Sequence, residues 1–268
     1  MNVKPRTTDT ARARANVRAK PDPLPILHFA FCTLHSKFGP QHWWPGDTAF
    51  EMMVGAILAQ NTNWGNVERA IANLKAAGLL DPRRPVLSLA EGLAELPQPR
   101  LAELIRPSGC FRVKAKRLRE FVLWLRRQAD GRQTADGSFA ALRGRPTEQL
   151  RRELLGIHGI GPETADSILL YALRRRKFVV DAYTRRLLAR HGLIAPAASY
   201  AEIQSLFERN LPPSQRLYNE YHALIVRLGK EFCRTKPRCD RCPLAPLLGA
   251  ALHNVLPPRH QDGEKGEN

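Results

Sequence analysis

The residues best suited to chemistry surround a glycine-rich turn in the second half of the chain. The stretch LLGIHGIGPETADSILLYA, from Leu154 to Ala172, predicts two helices joined by a tight turn that contains Gly159 and Gly161. Pro162 follows at the first position of the second helix, where its missing N–H is harmless. Such a turn exposes backbone N–H groups at a helix N-terminus, and these attract phosphate. The same pattern is equally typical of a tightly packed helical corner.

A carboxylate follows this hairpin. Asp181, in FVVDAYTRRL, stands where it would cap a helix that begins at Ala182. Such a cap would fix the direction of the carboxylate, so capping does not exclude a second role for the same side chain. Taken alone, Asp181 is interpreted as a helix cap.

Three of the five cysteines form a second candidate site. Cys233, Cys239 and Cys242 give a C-x5-C-x2-C pattern within ten residues. An odd number of cysteines crowded in this way favours a metal site in a reducing compartment over a disulfide framework.

Helices must position these residues, because apolar residues recur at helical spacing and rarely alternate. Phe50, Met53, Val54 and Ile57 form one such stripe, and Trp124 lies on another that predicts its burial in the core. The sequence therefore predicts an all-α protein.

The charge of the chain indicates its partner. Its 268 residues include 42 Lys and Arg against 25 Asp and Glu, a net charge of +17 at pH 7, which is typical of nucleic-acid binding. No apolar run approaches the roughly 20 residues of a membrane span, so we expect a soluble, cytoplasmic protein associated with the nucleoid. Residues 1–22 are expected to form a disordered basic arm, with an organelle presequence as the alternative, and residues 257–268 a disordered tail.

Four motifs in order resemble the helix-hairpin-helix DNA glycosylases of the endonuclease III superfamily. The hairpin at 154–172 precedes Val180 and Asp181, and the other three motifs are ILAQNT from Ile57, RPSGCFRVKAKRL from Arg106 and FCRTKPRCDRCP from Phe232. The resemblance extends from about Trp43 to Cys242. It implies two helical domains with the active-site cleft between them: a six-helix barrel over 45–175, and a cysteine-cluster domain formed by 23–44 plus 176–256.

The resemblance also implies roles for two acidic residues. Asp181 matches the catalytic aspartate of the family, and Glu163 stands at the position of the lysine that forms a Schiff base in members that also cut the DNA backbone. A carboxylate cannot form an imine, so lyase activity is expected to be weak or absent. Glu163 could equally be a harmless first-turn residue.

Tryptophans suggest the substrate. Trp43 and Trp44 in WWP, with Trp64 after ILAQNT, resemble the base pocket of endonuclease III-type 3-methyladenine DNA glycosylases, and Lys230 matches a lysine near that pocket. Ring faces attract a cationic alkylpurine by roughly 0.5 to 2 kcal/mol. Burial of Trp43 and Trp44 in the core, and a solvated Lys230, are the alternatives.

Other matched positions imply contacts with DNA. Gln60 would fill the gap left by the flipped nucleotide, or else be a polar helix end. Cys110 or Phe111 would act as a wedge, and the cations that follow would meet phosphates, or else form a solvated helix face. The residues implied to bind DNA are Gln60, Gly159, Gly161, Cys110, Phe111, Arg112, Lys114, Lys116 and Arg117.

The cysteine pattern departs from the family. It resembles a loop in which four cysteines hold a 4Fe-4S cluster, but Leu248 stands near the place of the fourth. Cys233, Cys239 and Cys242 could hold an iron–sulfur cluster with another ligand, zinc completed by His253 or His260, or no metal.

The sequence therefore predicts a monofunctional DNA glycosylase acting as a monomer on double-stranded DNA that contains a damaged base, with an alkylated purine favoured. An endonuclease III-like enzyme for oxidised or deaminated pyrimidines is one alternative. A non-catalytic protein that binds DNA structures is the other.

Overall fold

The computed structural model describes residues 23–129, 142 and 144–247. The arm predicted over 1–22 and the tail predicted over 257–268 lie outside the described residues. Within the described part, no helix combines the length and the apolar character that crossing a membrane requires.

Every regular element among the described residues is helical, so the all-α prediction is confirmed. The α-helices are α1 (Pro23–Phe38), α2 (Ala49–Leu58), α3 (Trp64–Ala76), α4 (Val86–Glu95), α5 (Gln98–Leu104), α6 (Phe111–Ala129), α7 (Thr147–Leu155), α8 (Pro162–Ser167), α9 (Ala182–Arg190), α10 (Tyr200–Asn210) and α11 (Gln215–Glu231). Helix α8 passes into a π-helical turn at Ile168–Ala172. Short 3-10 turns lie at Arg106–Ser108, Cys239–Arg241 and Ala245–Leu247.

The helices pack around two hydrophobic cores. The first core is built from α2 to α8 and includes Trp124, which is 6% exposed, as its stripe predicts. The second core joins α1 to α9, α10 and α11. Leu169 belongs to the first core and Leu170 to the second, so the chain crosses between them within the π-helical turn. The domain boundaries derived from the sequence stay a prediction.

The N-terminal helix is held against the C-terminal part of the chain. The Tyr221 hydroxyl on α11 donates to the Leu27 carbonyl on α1 at 2.9 Å. The Gln41 backbone N–H donates to Glu220 Oε1 at 2.8 Å. These contacts bring the segment after α1, which contains the paired tryptophans, to the junction of the two cores.

A buried carboxylate links the hairpin to the second core. Asp166 on α8 is fully buried and accepts from Arg151 on α7, through Nε at 2.7 Å and Nη2 at 3.0 Å. On α10, the Tyr200 hydroxyl and Gln204 Nε2 each donate to Asp166 Oδ2 at 2.8 Å. Gln204 Nε2 also reaches the Phe178 carbonyl at 2.7 Å, so Asp166 and Gln204 together connect α7, α8, α10 and the segment that leads to Asp181.

We predict that Asp166→Ala lowers the free energy of unfolding by about 3 kcal/mol, because it leaves the Arg151 charge and two buried donors without their acceptor. Partial exposure of the Arg151 side chain, 20%, keeps the expected loss at the low end. Urea unfolding measures this change. The control is Glu103→Ala, which removes a solvent-exposed partner of Arg106 and should alter stability far less. Equal losses in the two variants would contradict the prediction.

Candidate active site

A cleft of about 860 Å³ lies where the two cores meet. Its walls come from the segment after α1, the α2–α3 loop, the start of α8, and helices α9 and α11. The residues that line it include seven that the sequence predicts to belong to the site: Trp43, Trp44, Gln60, Trp64, Glu163, Asp181 and Lys230. Residues far apart in the sequence thus share one cavity.

Asp181 caps helix α9, as the sequence predicts. Its Oδ1 accepts from the Thr184 backbone N–H at 2.7 Å and from the Thr184 hydroxyl at 2.9 Å. Its Oδ2 lies 3.7 Å from Nε2 of His222, and the side chain is 12% exposed. The cap therefore occupies one carboxylate oxygen, while the other faces the cleft side of α11.

Glu163 follows Pro162 in the first turn of α8 and lies in the same cleft as Asp181. Its pKa is raised to about 7, mainly because the cleft walls reduce the hydration of the carboxylate, and further because Asp181 is negatively charged. The shift favours the protonated form of Glu163 relative to an ordinary glutamate, although the residue keeps an exposed surface at the rim of the cleft.

Three indole rings form one cluster in the cleft. The ring centroids of Trp43 and Trp44 are 5.4 Å apart, those of Trp43 and Trp64 5.9 Å, and those of Trp44 and Trp64 5.0 Å. Trp44 also packs on Tyr171, with centroids 4.8 Å apart. All three indoles are half-buried, so each is supported by the protein and still open to the cavity.

Lys230, near the end of α11, reaches this cluster. Its Nζ lies over the Trp43 ring, 5.9 Å from the centroid, and the residue as a whole is exposed. A cation at this distance from an indole face is attracted by the ring.

Gln60 faces the hairpin across the cleft. Its Nε2 donates to the Gly159 carbonyl at 3.0 Å and to the Thr164 hydroxyl at 2.9 Å, and its Oε1 accepts from Arg117. In this structure the amide is thus engaged within the protein, and its expected role in filling a DNA gap stays a prediction. Arg117 thus contacts Gln60 in this structure, and its expected contact with phosphates stays a prediction.

Gly159 is the one turn glycine that its surroundings require. It has φ of +84°, and a Cβ there would lie 2.4 Å from Nε of Arg117. Gly161 precedes α8, is exposed, and has open space where a Cβ would be. The roles of both glycines at DNA stay predictions.

The prediction that Lys114 meets phosphates is wrong. Lys114 is 1% exposed, and its Nζ donates to the carbonyls of Leu58 at 2.8 Å and Ser108 at 2.6 Å. Burial lowers its pKa. Because Leu58 ends α2 and Ser108 precedes Gly109, the ammonium links the Gln60 loop to the loop that carries Cys110.

The second loop exposes the other predicted residues. Cys110 is exposed with φ of 45°, and Phe111 is half-buried at the start of α6. The guanidinium carbons of Arg106 and Arg112 lie 5.1 and 5.7 Å from the centroid of the Phe111 ring. Arg112 is exposed, as a phosphate contact requires.

The cysteine loop does not form a metal site in the part of the chain that is described. Cys233 is buried and accepts from Arg190 Nη1 at 3.3 Å, Cys242 is half-buried, and Cys239 is exposed. Over the described ranges, no three His, Cys, Asp or Glu side chains converge closely enough to hold a metal ion. Leu248, His253 and His260 lie outside those ranges. The iron–sulfur and zinc alternatives stay predictions.

Three residues in or beneath the cleft wall were not predicted from the sequence. Tyr171, Tyr183 and His222 all contribute to the site, Tyr171 beneath Trp44 and the other two in the cleft wall. Tyr171 and His222 lie on apolar helical stripes, where burial is the simplest interpretation. Only their position beside Asp181 gives them a further meaning.

Comparison with known proteins agrees with this geometry. The sequence pattern of the HhH-GPD superfamily of base excision DNA repair proteins matches residues 54–213. A Methanocaldococcus jannaschii protein with the provisional name of DNA repair glycosylase is 45% identical over 225 residues, which cover 84% of this chain and 96% of that protein.

Two solved structures are similar in fold. The 3-methyladenine DNA glycosylase of H. pylori, bound to 1,N6-ethenoadenine, is 30% identical with a TM-score of 0.66, covering 79% of this chain and 98% of that one. A trapped endonuclease III–DNA intermediate is 18% identical with a TM-score of 0.67, covering 88% and 100%. This chain belongs to the HhH-GPD superfamily of base excision DNA repair proteins, as a DNA glycosylase of the endonuclease III type.

Proposed function

We propose that this glycosylase is monofunctional and that it hydrolyses the N-glycosidic bond of an alkylated purine flipped out of double-stranded DNA. The observation that carries the proposal is the shared cavity. The Asp181 carboxylate, fixed by its cap on α9, lines the same cleft as the three indoles of Trp43, Trp44 and Trp64.

Asp181 supplies the catalytic charge. As the glycosidic bond breaks, the sugar gains positive character, and a carboxylate held in a cleft of limited solvent access stabilises that charge. The Asp181 carboxylate can also accept a proton from the attacking water. Because the Thr184 N–H and hydroxyl hold Oδ1, the orientation of the carboxylate is set before DNA binds.

Glu163 supports the monofunctional assignment. A Schiff base at C1′ needs an amine, and the hairpin offers a carboxylate at this position. The amine of Lys230 also lines the cleft, but its Nζ lies over the Trp43 ring. Water is then the nucleophile, and the product is an abasic site in an intact strand.

The aromatic lining supports an alkylated purine. A methylated purine carries a positive charge that weakens its own glycosidic bond, so an indole-lined pocket can favour it without a strong acid. The H. pylori protein with 30% identity is a 3-methyladenine DNA glycosylase and holds 1,N6-ethenoadenine. Its likeness over 98% of its own length adds support.

Charge supports DNA as the substrate. The net charge of +17 attracts the phosphate backbone. Exposed cations lie next to the cleft loops at Arg112 and Lys116, and in the cysteine loop at Lys236 and Arg238. We propose that a single chain acts on the DNA, because the cleft is complete within one chain.

Asp181→Asn should reduce single-turnover base release by about 10²- to 10⁴-fold while leaving DNA affinity nearly unchanged, because the amide keeps the cap but loses the charge. Release is measured on a panel of duplexes, each with one lesion and followed by alkali to reveal abasic sites. Alkylated purines should be released fastest.

Ser199→Ala serves as the control for helix capping. It removes the cap of α10 and should cost about 1 kcal/mol of stability with turnover retained. Near-normal release by the Asp181→Asn variant would eliminate Asp181 from the mechanism. Faster release of an oxidised pyrimidine than of any alkylated purine would reject the substrate proposal.

Borohydride should trap no covalent complex between this protein and a lesion duplex, because no lysine stands at position 163. Strand breaks should appear only after alkaline treatment. An endonuclease III that forms such an intermediate serves as the positive control. Efficient trapping would contradict the proposal, and its loss in Lys230→Met would identify the amine responsible.

DNA affinity should fall between pH 6 and pH 8 more steeply in the wild-type chain than in Glu163→Gln. With a pKa of about 7, Glu163 is neutral at the lower pH and adds a negative charge beside the phosphates at the higher one. The excess loss should be roughly two- to fivefold. Fluorescence anisotropy measures affinity, and the difference between the two proteins isolates the contribution of Glu163 to the pH dependence. Parallel pH profiles would refute this prediction.

A further inference from the structure

Two buried side chains behind Asp181 have no part in the mechanism so far. Tyr171 is 5% exposed and His222 is 4% exposed, and the Tyr171 hydroxyl lies 2.6 Å from His222 Nδ1. The other ring nitrogen, His222 Nε2, is buried without a hydrogen-bond partner and lies 3.7 Å from Asp181 Oδ2. Unpaired buried polar atoms are rare and require an explanation.

The direction of the hydrogen bond between Tyr171 and His222 follows from their surroundings. Burial raises the pKa of Tyr171 well above its ordinary value, so the phenol keeps its proton, and burial lowers the pKa of His222, so the ring is neutral. A neutral ring carries one N–H. If that N–H were on Nδ1, a lone pair on Nε2 would face the Asp181 carboxylate, which is repulsive.

The position of Trp43 supports the same direction for the hydrogen bond between Tyr171 and His222. The indole N–H of Trp43 can only donate, and it is buried without a hydrogen-bond partner of ordinary geometry. Its proximity to the Tyr171 hydroxyl lowers the pKa of the phenol. The Tyr171 oxygen therefore faces a group that can only donate, and its own proton is available for His222 Nδ1. This leaves the His222 N–H on Nε2, facing Asp181.

We propose that Tyr171 and His222 are positioning residues for the glycosylase reaction, in which Tyr171 fixes the Nε2–H tautomer of His222 and His222 Nε2–H holds Oδ2 of Asp181. The inference rests on the proposed function, in which Asp181 is catalytic. Thr184 already holds Oδ1. A second donor on Oδ2 fixes the carboxylate from both sides, and we expect the 3.7 Å separation to shorten in the complex with DNA, because catalytic hydrogen bonds often tighten when substrate binds.

Kinetics of four variants test the positioning role. His222→Leu removes both nitrogens at similar volume and should slow single-turnover base release about 100-fold, and Tyr171→Phe should slow it about tenfold. His222→Gln restores a donor near Oδ2 and should be at least about tenfold faster than His222→Leu. Because Tyr171 acts through His222, Tyr171→Phe should cause no further loss in the His222→Leu background.

The matched control is Tyr221→Phe, which removes a buried hydroxyl from the same helix as His222 but one that donates to Leu27. It should release base at the wild-type rate. Affinity for a duplex with a tetrahydrofuran abasic-site analogue should change less than about twofold in every variant. Multiplicative losses in the double variant, or a Gln variant no faster than the Leu variant, would overturn the proposal.

A second measurement, on the wild-type chain, needs no substrate. The ¹⁵N shifts of the imidazoles in the wild-type chain, with His222 assigned from the spectrum of His222→Gln or by through-bond correlation, report the tautomer directly. Protonation on Nε2 is expected, and protonation on Nδ1 would overturn the proposal. If the wild-type chain releases no base from any duplex, the proposed function fails, whereas the tautomer still decides whether the Tyr171–His222 geometry is correct.

Discussion

The site depends on the interactions of one buried carboxylate, that of Asp166. It receives two donors from Arg151 and one each from Tyr200 and Gln204, which joins both helices of the hairpin to α10. Gln204 passes the constraint to the Phe178 carbonyl, and the Tyr200 hydroxyl accepts from the Val180 N–H at 3.4 Å. The next residue along the chain is Asp181, so this buried network fixes the Asp181 carboxylate relative to the hairpin. Removing one partner of such a network costs more than its net contribution, because a buried charge is left unpaired.

The opposite wall of the cleft follows the same principle. Lys114 lies in the first core because two backbone carbonyls, at Leu58 and Ser108, satisfy its ammonium. Gln60 is bound to the hairpin at Gly159 and Thr164. The two loops expected to meet DNA are therefore linked to each other and to the hairpin by buried polar contacts, which hold them in a defined arrangement when no DNA is bound.

The cleft gives its two carboxyl groups, Glu163 and Asp181, different electrostatic environments. The raised pKa of Glu163, about 7, favours the neutral form of that carboxyl and so reduces its repulsion with Asp181. Environments that push titratable groups apart are how one site assigns different roles to similar side chains. Here a carboxyl replaces the amine that a lyase would need, and it remains partly neutral beside Asp181.

Local features were determined by the sequence alone. Helical periodicity predicted the all-α fold, the hairpin and its proline predicted the start of α8, and the Asp181 cap followed from one residue before a helix. These depend on neighbours within one or two turns. Tertiary structure alone decided the rest. A lysine among basic residues is typical of a phosphate contact, yet Lys114 is buried because its acceptors come from distant segments. His222 likewise acquires its position from a contact with Tyr171, 51 residues away. Burial and hydrogen bonding between distant residues set such roles, and no local pattern in the chain encodes them.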